Sequence, residues 1–533
     1  MSRTLLLIVC CAACSPGGEG PSQRDTDSPP SLDTSDGPSF DTADSATAPS
    51  DTTVSASVRP VGNDILLATW VDVSTSAATT VSATWSDGEV GGNVSSDELA
   101  TEHSLLLLGF RAGRTIDIEV VATQDGEPLA AVWTSLESDP LPDTFPELEV
   151  VAHDLARTEP GYLLFPIHGP TYAYLVALDE ELQPAWIHEG FWADPRILDN
   201  GNLFGLREKE PMEMTFDGQV IRHYSSDPAA PSSAIFVDVG TMHHEIYPWP
   251  DDSFWMLSHT FREVPKYPVA YADPTQLGGP QVLMSDMVSV VGADGSLLQS
   301  IDVFDLLDPT RIGYDSLDGV QKDWAHANAV IPHPDGSFIV SLRHQDAMIK
   351  ISTSGELEWI LGDPAGWRGE LVGKLLTPVG EPFQWPYHQH APQWLSAIGD
   401  SEGRMLLFDN RNEGATPYTA KPPGQQYSGV VEYSIDESAK TVSMVGRYED
   451  FGTTTPLASW AYGDADMMEE TGNILAVFGM VEMELGIPGG ESRRSRIIEF
   501  HPDDSTQPAL DLRIHQSSRS WTMDRAEKID PLR

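Results

Sequence analysis

The sequence predicts an all-β protein, a small β-sandwich followed by a β-propeller, and three observations carry that prediction. Short apolar and β-branched runs alternate with Asp/Asn/Gly turns over most of the 533 residues. A strand–turn–strand phrase recurs from residue 146 onward. All three cysteines fall at Cys10, Cys11 and Cys14, so the rest of the chain must be held by core burial without disulfides. A chain of this length accommodates two or three domains.

The opening "MSRTLLLIVCCAAC" has one Arg, a short apolar run and a small-residue exit before Cys14. That is the layout of a signal peptide, and the run is too short to span a bilayer. A cysteine directly after "AA" resembles a bacterial lipoprotein cleavage site, with Cys14 as the lipidated first residue of the mature chain. Cys11 stands where Leu is commoner, and ordinary secretion with Cys14 lost or free is the alternative. Ser15 carries no aspartate-type retention signal, which points to the outer membrane in a diderm cell. Residues 15–52 are Ser, Thr, Asp, Pro and Gly with almost nothing apolar, the composition of a disordered acidic linker.

Residues 53–145 alternate apolar and polar positions in "ILLATWVDV", "TTVSATWSD" and "TIDIEVVATQDG", separated by turn residues. Short strands at this spacing predict a β-sandwich. The phrase "LLLLGFRAGRTIDIEVVA" resembles a fibronectin type III (immunoglobulin-like) module, with Ile116 where such modules usually carry Tyr. Beyond it the recurring phrase reads "PRILDNGNLFGLRE", "HHEIYPWPDDSFWMLSH", "HANAVIPHPDGSFIVSLRH", "HAPQWLSAIGDSEGRMLLFDNR" and "GDADMMEETGNILAVFG". Second hairpins such as "AMIKISTSGELEWILG" follow it, and residues 162–190 form a degenerate further copy. Four-stranded units that cannot bury both faces alone stack radially, so residues 146–515 are expected to form a propeller, with 516–533 as a C-terminal tail. Six blades are favoured, and the uneven spacing also accommodates five or seven.

Aligned on their turns, the repeats put His243 and His244, His326 with Asn328, and His390 at the start of first strands. Second strands end at Arg207, His259, Arg343 with His344, and Asn410 with Arg411. In a propeller these two positions share one mouth of the central channel. The formal net charge of −50 excludes a nucleic-acid partner, and it means that any anion site must be built from the few Arg and His available. Two chemistries fit the cluster. Neutral imidazoles bind transition metals, with Glu245 and Asp323 available to orient them. A histidine nucleophile helped by Arg and His instead transfers an anionic group, and Arg343 and Asn328 beside the histidines suit an oxyanion better than a cation.

The phrases "DWAHANAV", "SLRHQDAMIKISTSGELEWILG", "QHAPQWL" with "LLFDNRN", and "HHEIYPWPDDSFW" together resemble the bacterial aryl-sulfate sulfotransferases (arylsulfotransferases), over roughly residues 146–510. The resemblance implies a sandwich ahead of a six-bladed propeller and a reaction independent of nucleotide sulfate donors. A phenolic sulfate ester gives its sulfuryl group to a histidine, and the sulfohistidine passes it to another phenol. By motif, His390 would be the nucleophile. His326, Asn328 and Arg343 would bind the sulfuryl oxygens, and His244, preferred over His243, would complete the pocket and assist proton transfer. Family members commonly continue "QHD-A-R", whereas this chain reads "QHAPQ" with Pro392 and Gln393; His388, two residues before His390 and on the same strand face, is with His243 a further candidate for substrate binding. The lost acid bears on the tautomer and reactivity of His390.

The expected protein is therefore an exported enzyme, lipid-anchored in the cell envelope (periplasm or outer membrane) or secreted. It would act on small aryl sulfates and phenols without a cofactor, touch the membrane only through its anchor, and have an open oligomeric state, homodimer included. Because the nucleophile must be neutral, histidine's ordinary value predicts an optimum above about pH 7. The other readings are a non-catalytic ligand- or protein-binding propeller and a His-ligated metalloenzyme propeller.

Overall fold

The computed structural model describes residues 52–532 apart from 63, 398–401, 413–426, 454–455, 484–493 and 517–518. The expected signal peptide over 1–14, with Cys14, and the acidic linker up to residue 51 lie outside the described residues. Among the described residues no helix is long and apolar enough to cross a membrane.

The N-terminal unit is one hydrogen-bonded sheet of Val54–Pro60, Ala68–Ser86, Gly91–Leu108, Thr115–Gln124 and Glu127–Glu137. Its long strand Ala68–Ser86 breaks register between Ser74 and Thr79. Before the break it pairs with Val54–Pro60, and after it with Thr115–Gln124. The first strand also lies against Glu127–Glu137 without a shared ladder. Ile116, Ile118, Val120 and Ala122 are fully buried while their neighbours are not. That period of two is a sheet with one face in the core.

Six further sheets follow, and burial changes character. Every residue of Phe338–Leu342 and Ala347–Ile351 is buried. These strands pack on both faces, so they read as continuous apolar runs without alternation. The recurring turn has a fixed hydrogen-bond plan, seen in His333 to Ser337. His333 N donates to Ser337 O at 2.9 Å, and Gly336 N to His333 O at 2.9 Å. Gly336 sits at φ 87°, where a side chain is disfavoured, and Asp335 Oδ1 accepts from Ser337 N at 2.8 Å.

First strands follow one another around a common centre. Trp192–Ile197 touches His243–Pro248, then come Ala327–Pro332, His390–Trp394 and Asp464–Met467. The ring is closed by distant parts of the chain. Glu147–His153 pairs with Leu510–His515 in the last sheet, and Glu527–Ile529 pairs with Tyr162–His168 in the first. Within 516–533, expected to be a C-terminal tail, Glu527–Ile529 is thus an edge strand of the first of these six sheets. The reason is local: Lys528 and Glu527 face partners, and Ile529 is buried against Leu164 and Trp186. The N-terminal unit is tied to the same sheet. Ile65–Leu66 pairs with Pro184–Glu189, and buried Arg111 reaches Asp179 at 3.1 Å and Glu89 at 2.8 Å.

Candidate active site

Backbone irregularity aims the site. First strands of four successive sheets break register at Ala193/Arg196, His243/Ile246, Ala327/Ala329 and His390/Gln393. Left-handed residues accompany the breaks: Asp194 at φ 50°, His244 at 58°, His326 at 51° and Ala391 at 43°. Such bulges re-aim side chains, and each non-glycine residue held there costs on the order of 1–3 kcal/mol. His326 precedes the strand, and Asn328 sits in the break.

The histidines do converge. The His244 and His326 ring centroids are 5.0 Å apart, His326 and His344 4.5 Å, and His344 and His388 6.1 Å. His243 Nδ1 lies 2.8 Å from His244 Nδ1, and the His243 ring stacks on His259 at 4.1 Å. Arg343 begins a short 3-10 turn after the strand Phe338–Leu342. It donates to His344 Nε2 at 2.6 Å and to Trp460 O at 3.3 Å, with Asp315 at 3.4 Å. His344 Nδ1 donates to Asp323 O at 2.7 Å, so its proton is on Nδ1. His326 Nδ1 lies 2.5 Å from the Asp323 carboxylate. His390 Nδ1 faces Asn410 Oδ1 at 2.6 Å and His388 O at 3.1 Å.

Burial sets the charge states. It pushes His390 well below the ordinary imidazole range, helped by Arg343 and His326 and opposed by the Asn410 hydrogen bond. Burial and then His243, His326 and His390 do the same to His244. Burial and His326 lower His344 to about 3. Burial and His243 lower His259 to about 4. Burial would raise Asp323, but His326 and His344 outweigh it and hold the carboxyl well below its usual range. His244, His259, His344 and His390 are thus held neutral beside the Arg343 guanidinium and two carboxylates, Asp315 and Asp323, and the guanidinium is the group that can receive a negatively charged substrate. The buried Nε–H of Arg343 has no acceptor among the described residues.

Several expectations change. Asn328 Nδ2 donates one hydrogen to Gln389 O at 2.7 Å, and the acceptor Oδ1 is buried without a partner among the described residues. The second Nδ2 hydrogen remains a donor for a sulfuryl oxygen, and Oδ1 is an acceptor for a hydroxyl. His388, at φ 53°, precedes the strand that begins at His390, and its nitrogens lie 3.3 Å from Asp315 and from Asp346. Two carboxylates claim it, so it braces the site from behind. Glu245 does not orient an imidazole. Its oxygens take Arg196 at 2.7 Å, Arg525 at 2.7 Å and Val330 N at 3.1 Å. Arg207 and Arg411 stay in their own sheets, near Met212 Sδ at 3.9 Å and Asp409 at 3.3 Å. The roles of Asp315 and Asp346 had no signal in the repeats, since both lie in connections between strands.

Two groups of ligand atoms near the site could hold a metal ion: His243, His259 and Asp286, and Asp323, His326 and His344. The second fits poorly. Its imidazole nitrogens are engaged by Arg343 and by Asp323, and the guanidinium repels a cation.

The chain matches the family described as arylsulfotransferase (ASST) over residues 182–521. The arylsulfate sulfotransferase AssT of Escherichia coli O6:H1 (strain CFT073) is 35% identical over 147 residues, 24% of this chain and 23% of that protein. That of Lelliottia amnigena is 33% identical over the same shares. The matched stretch thus spans less than a quarter of these curated relatives. Among solved structures, a streptogramin B lyase is similar at 10% identity over 71% of this chain and 98% of its own, with a TM-score of 0.29. With the family match running through every histidine of the cluster, this chain belongs to the arylsulfotransferase family.

Proposed function

We propose that the chain is an aryl-sulfate sulfotransferase that moves a sulfuryl group between phenols through a sulfohistidine at His390. The observation that carries this reading is the state of His390. It is neutral, its Nδ1 is engaged by two acceptors, and Arg343 stands close enough to lower its basicity. In the reaction the Nε2 lone pair attacks sulfur, and the N–S bond forms as the S–O(aryl) bond breaks, its electron pair leaving on the phenolate. A second phenol then attacks sulfur and returns the N–S pair to Nε2. The proton passes from acceptor to departed phenolate, with His244 and His326 as carriers. Sulfuryl transfer resembles phosphoryl transfer in its loose transition state, so positioning and charge stabilisation supply most of the rate. Arg343 with His326 would hold the sulfuryl oxygens, and Asn328 Oδ1 would accept from a phenol hydroxyl.

The same reading takes the six ring sheets as six propeller blades, the bent N-terminal sheet as the fibronectin-III-like sandwich, and Cys14 as the lipid anchor of an exported envelope protein. Incubation with 4-nitrophenyl sulfate and phenol should release nitrophenol, and mass spectrometry should find one sulfuryl adduct on a histidine peptide. His390→Ala should lose both. Release that survives the substitution moves the nucleophile elsewhere, and no release with any aryl sulfate favours a binding propeller. A metal centre is the second reading, resting on His243, His259 and Asp286, whose ligand atoms lie within 4.8 Å of one another. Turnover unchanged by a chelator removes it.

A further inference from the structure

We propose that Asn410 is a positioning residue that fixes the reactive tautomer of His390 and, being unable to take a proton, keeps the sulfurylated ring in its cationic, transferable form. The inference deepens the sulfotransferase reading and rests on it.

The side-chain amide of Asn410 is buried, and its two arms are distinguishable by what they meet. One lies 3.0 Å from Ser459 O and 2.7 Å from Tyr462 O. Both are carbonyls, which only accept, so this arm is the NH2 group. The other arm, 2.6 Å from His390 Nδ1, is therefore the oxygen. His388 O, the second neighbour of Nδ1 at 3.1 Å, is also an acceptor only. Two acceptors require a hydrogen on Nδ1, and the lone pair is left on Nε2. The arrangement is stiff. Ser428 Oγ donates to Asn410 O at 2.9 Å, and Ser459 N donates to Ser428 Oγ at 2.8 Å, joining the nucleophile's sheet to the next one.

The choice of an amide has a chemical consequence that the molecule itself brings out. His326 Nδ1 is held by a carboxylate, Asp323, whereas His390 Nδ1 is held by a neutral oxygen. A carboxylate would favour the imidazolium, which cannot attack, and after attack it could draw the Nδ1 proton away. With the proton retained, the sulfurylated ring is an N-sulfonated imidazolium, and its leaving group is neutral imidazole. Without that proton the leaving group would be an imidazolide anion, and transfer to the acceptor would slow. The amide permits the first state and not the second. It also accounts for a site that works without the acid expected after the nucleophile.

The test needs one spectrum and two variants. Histidine selectively labelled with 15N, with the His390→Gln spectrum subtracted to assign the ring, should show Nδ1 protonated and Nε2 unprotonated at pH 7. This reading needs no turnover, so it separates failure of the tautomer assignment from failure of the sulfotransferase reading. Asn410→Leu keeps the volume without the acceptor and should lower kcat about 10- to 100-fold with KM within about twofold. Asn410→Asp should move the acid limb of the pH–rate profile upward by at least about one pH unit, because the new anion favours the imidazolium. An Nε2–H spectrum for wild-type His390 overturns the proposal even if neither variant folds. So does an Asn410→Asp profile that superimposes on wild type.

Discussion

The histidines at the mouth and a group of carboxylates on Trp192–Ile197, His243–Pro248, Asp464–Met467 and Glu527–Ile529 are both largely withdrawn from water, yet burial moves them in opposite directions. Among the imidazoles it lowers His344 to about 3 and His259 to about 4. Among the carboxyls, burial and Glu527 raise Asp466 to about 6, while burial with Asp194 and Asp464 raises Glu527 to about 7 against Arg196. Both clusters shed charge, as groups removed from water must. What differs is how their hydrogen bonds end. Arg525 reaches Glu245 at 2.7 Å and Asp194 at 3.2 Å, and Arg196 reaches the same two acids. In the carboxylate group two arginines share two acids and leave Arg196 Nε over, whereas at the histidine group a single guanidinium, Arg343, faces the rings, and its Nε and Asn328 Oδ1 have no partner among the described residues. Neutral rings around one guanidinium are a site, and two arginines shared between two acids are a rivet.

Exchanging damage between the two is the sharpest way to break that comparison. Arg525→Ala leaves Glu245 and Asp194 with one arginine between them, at a cost of about 3–5 kcal/mol for an uncompensated buried charge. The urea midpoint should fall accordingly, with kcat per folded molecule kept. Arg343→Ala should do the reverse, lowering kcat by about 10²–10³ with a smaller stability loss. If Arg525→Ala leaves the urea midpoint in place, the carboxylate group is no rivet.

How much of this was legible in the sequence follows from how each part is built. The turns are local, so "HPDGS" and its sister phrases mark sheet after sheet, and repeat phase brings His244, His326 and His390 to one mouth. The left-handed residues at His244 and His326 are not local preferences. They are imposed by packing around the ring, and nothing in "MHHEI" or "WAHAN" announces them. The carboxylate group was hidden for another reason. Its key cation, Arg525, lies in a segment whose strand is only Glu527–Ile529, too short and too charged for periodicity to register.

The pH dependence of turnover is the next separation. An optimum above pH 7 would follow if His390 had an ordinary imidazole value, but burial and Arg343 push it well below that. The protonated ring is inactive, so the acid limb should lie at the depressed value. kcat/KM should stay level from pH 8 down through pH 6 and fall only at lower pH. Arg343→Gln removes one cause of the depression and should bring the limb upward. A wild-type limb at or above 6.5 would show that the mouth is wetter and less cationic than described.

The smallest effect concerns stability. Imidazoles with depressed native values contribute fully above the unfolded value of about 6.5, and that contribution is lost as the pH falls towards the native values. Carboxyls with raised native values do the opposite. Their contribution is present below about pH 4 and is lost as the pH rises through the native values, about 6 for Asp466 and about 7 for Glu527. The two clusters therefore squeeze stability from both sides, and the melting temperature should peak near pH 6. Glu527→Gln tests the alkaline side alone. A neutral amide keeps the volume and removes one titration, so the variant should melt a few degrees above wild type at pH 8 and level with it at about pH 4. The acid decline, set by the histidines, should be untouched. If the alkaline decline is equally steep in both proteins, Glu527 does not titrate in the folded state near neutral pH, and the opposition between the two clusters fails at that residue.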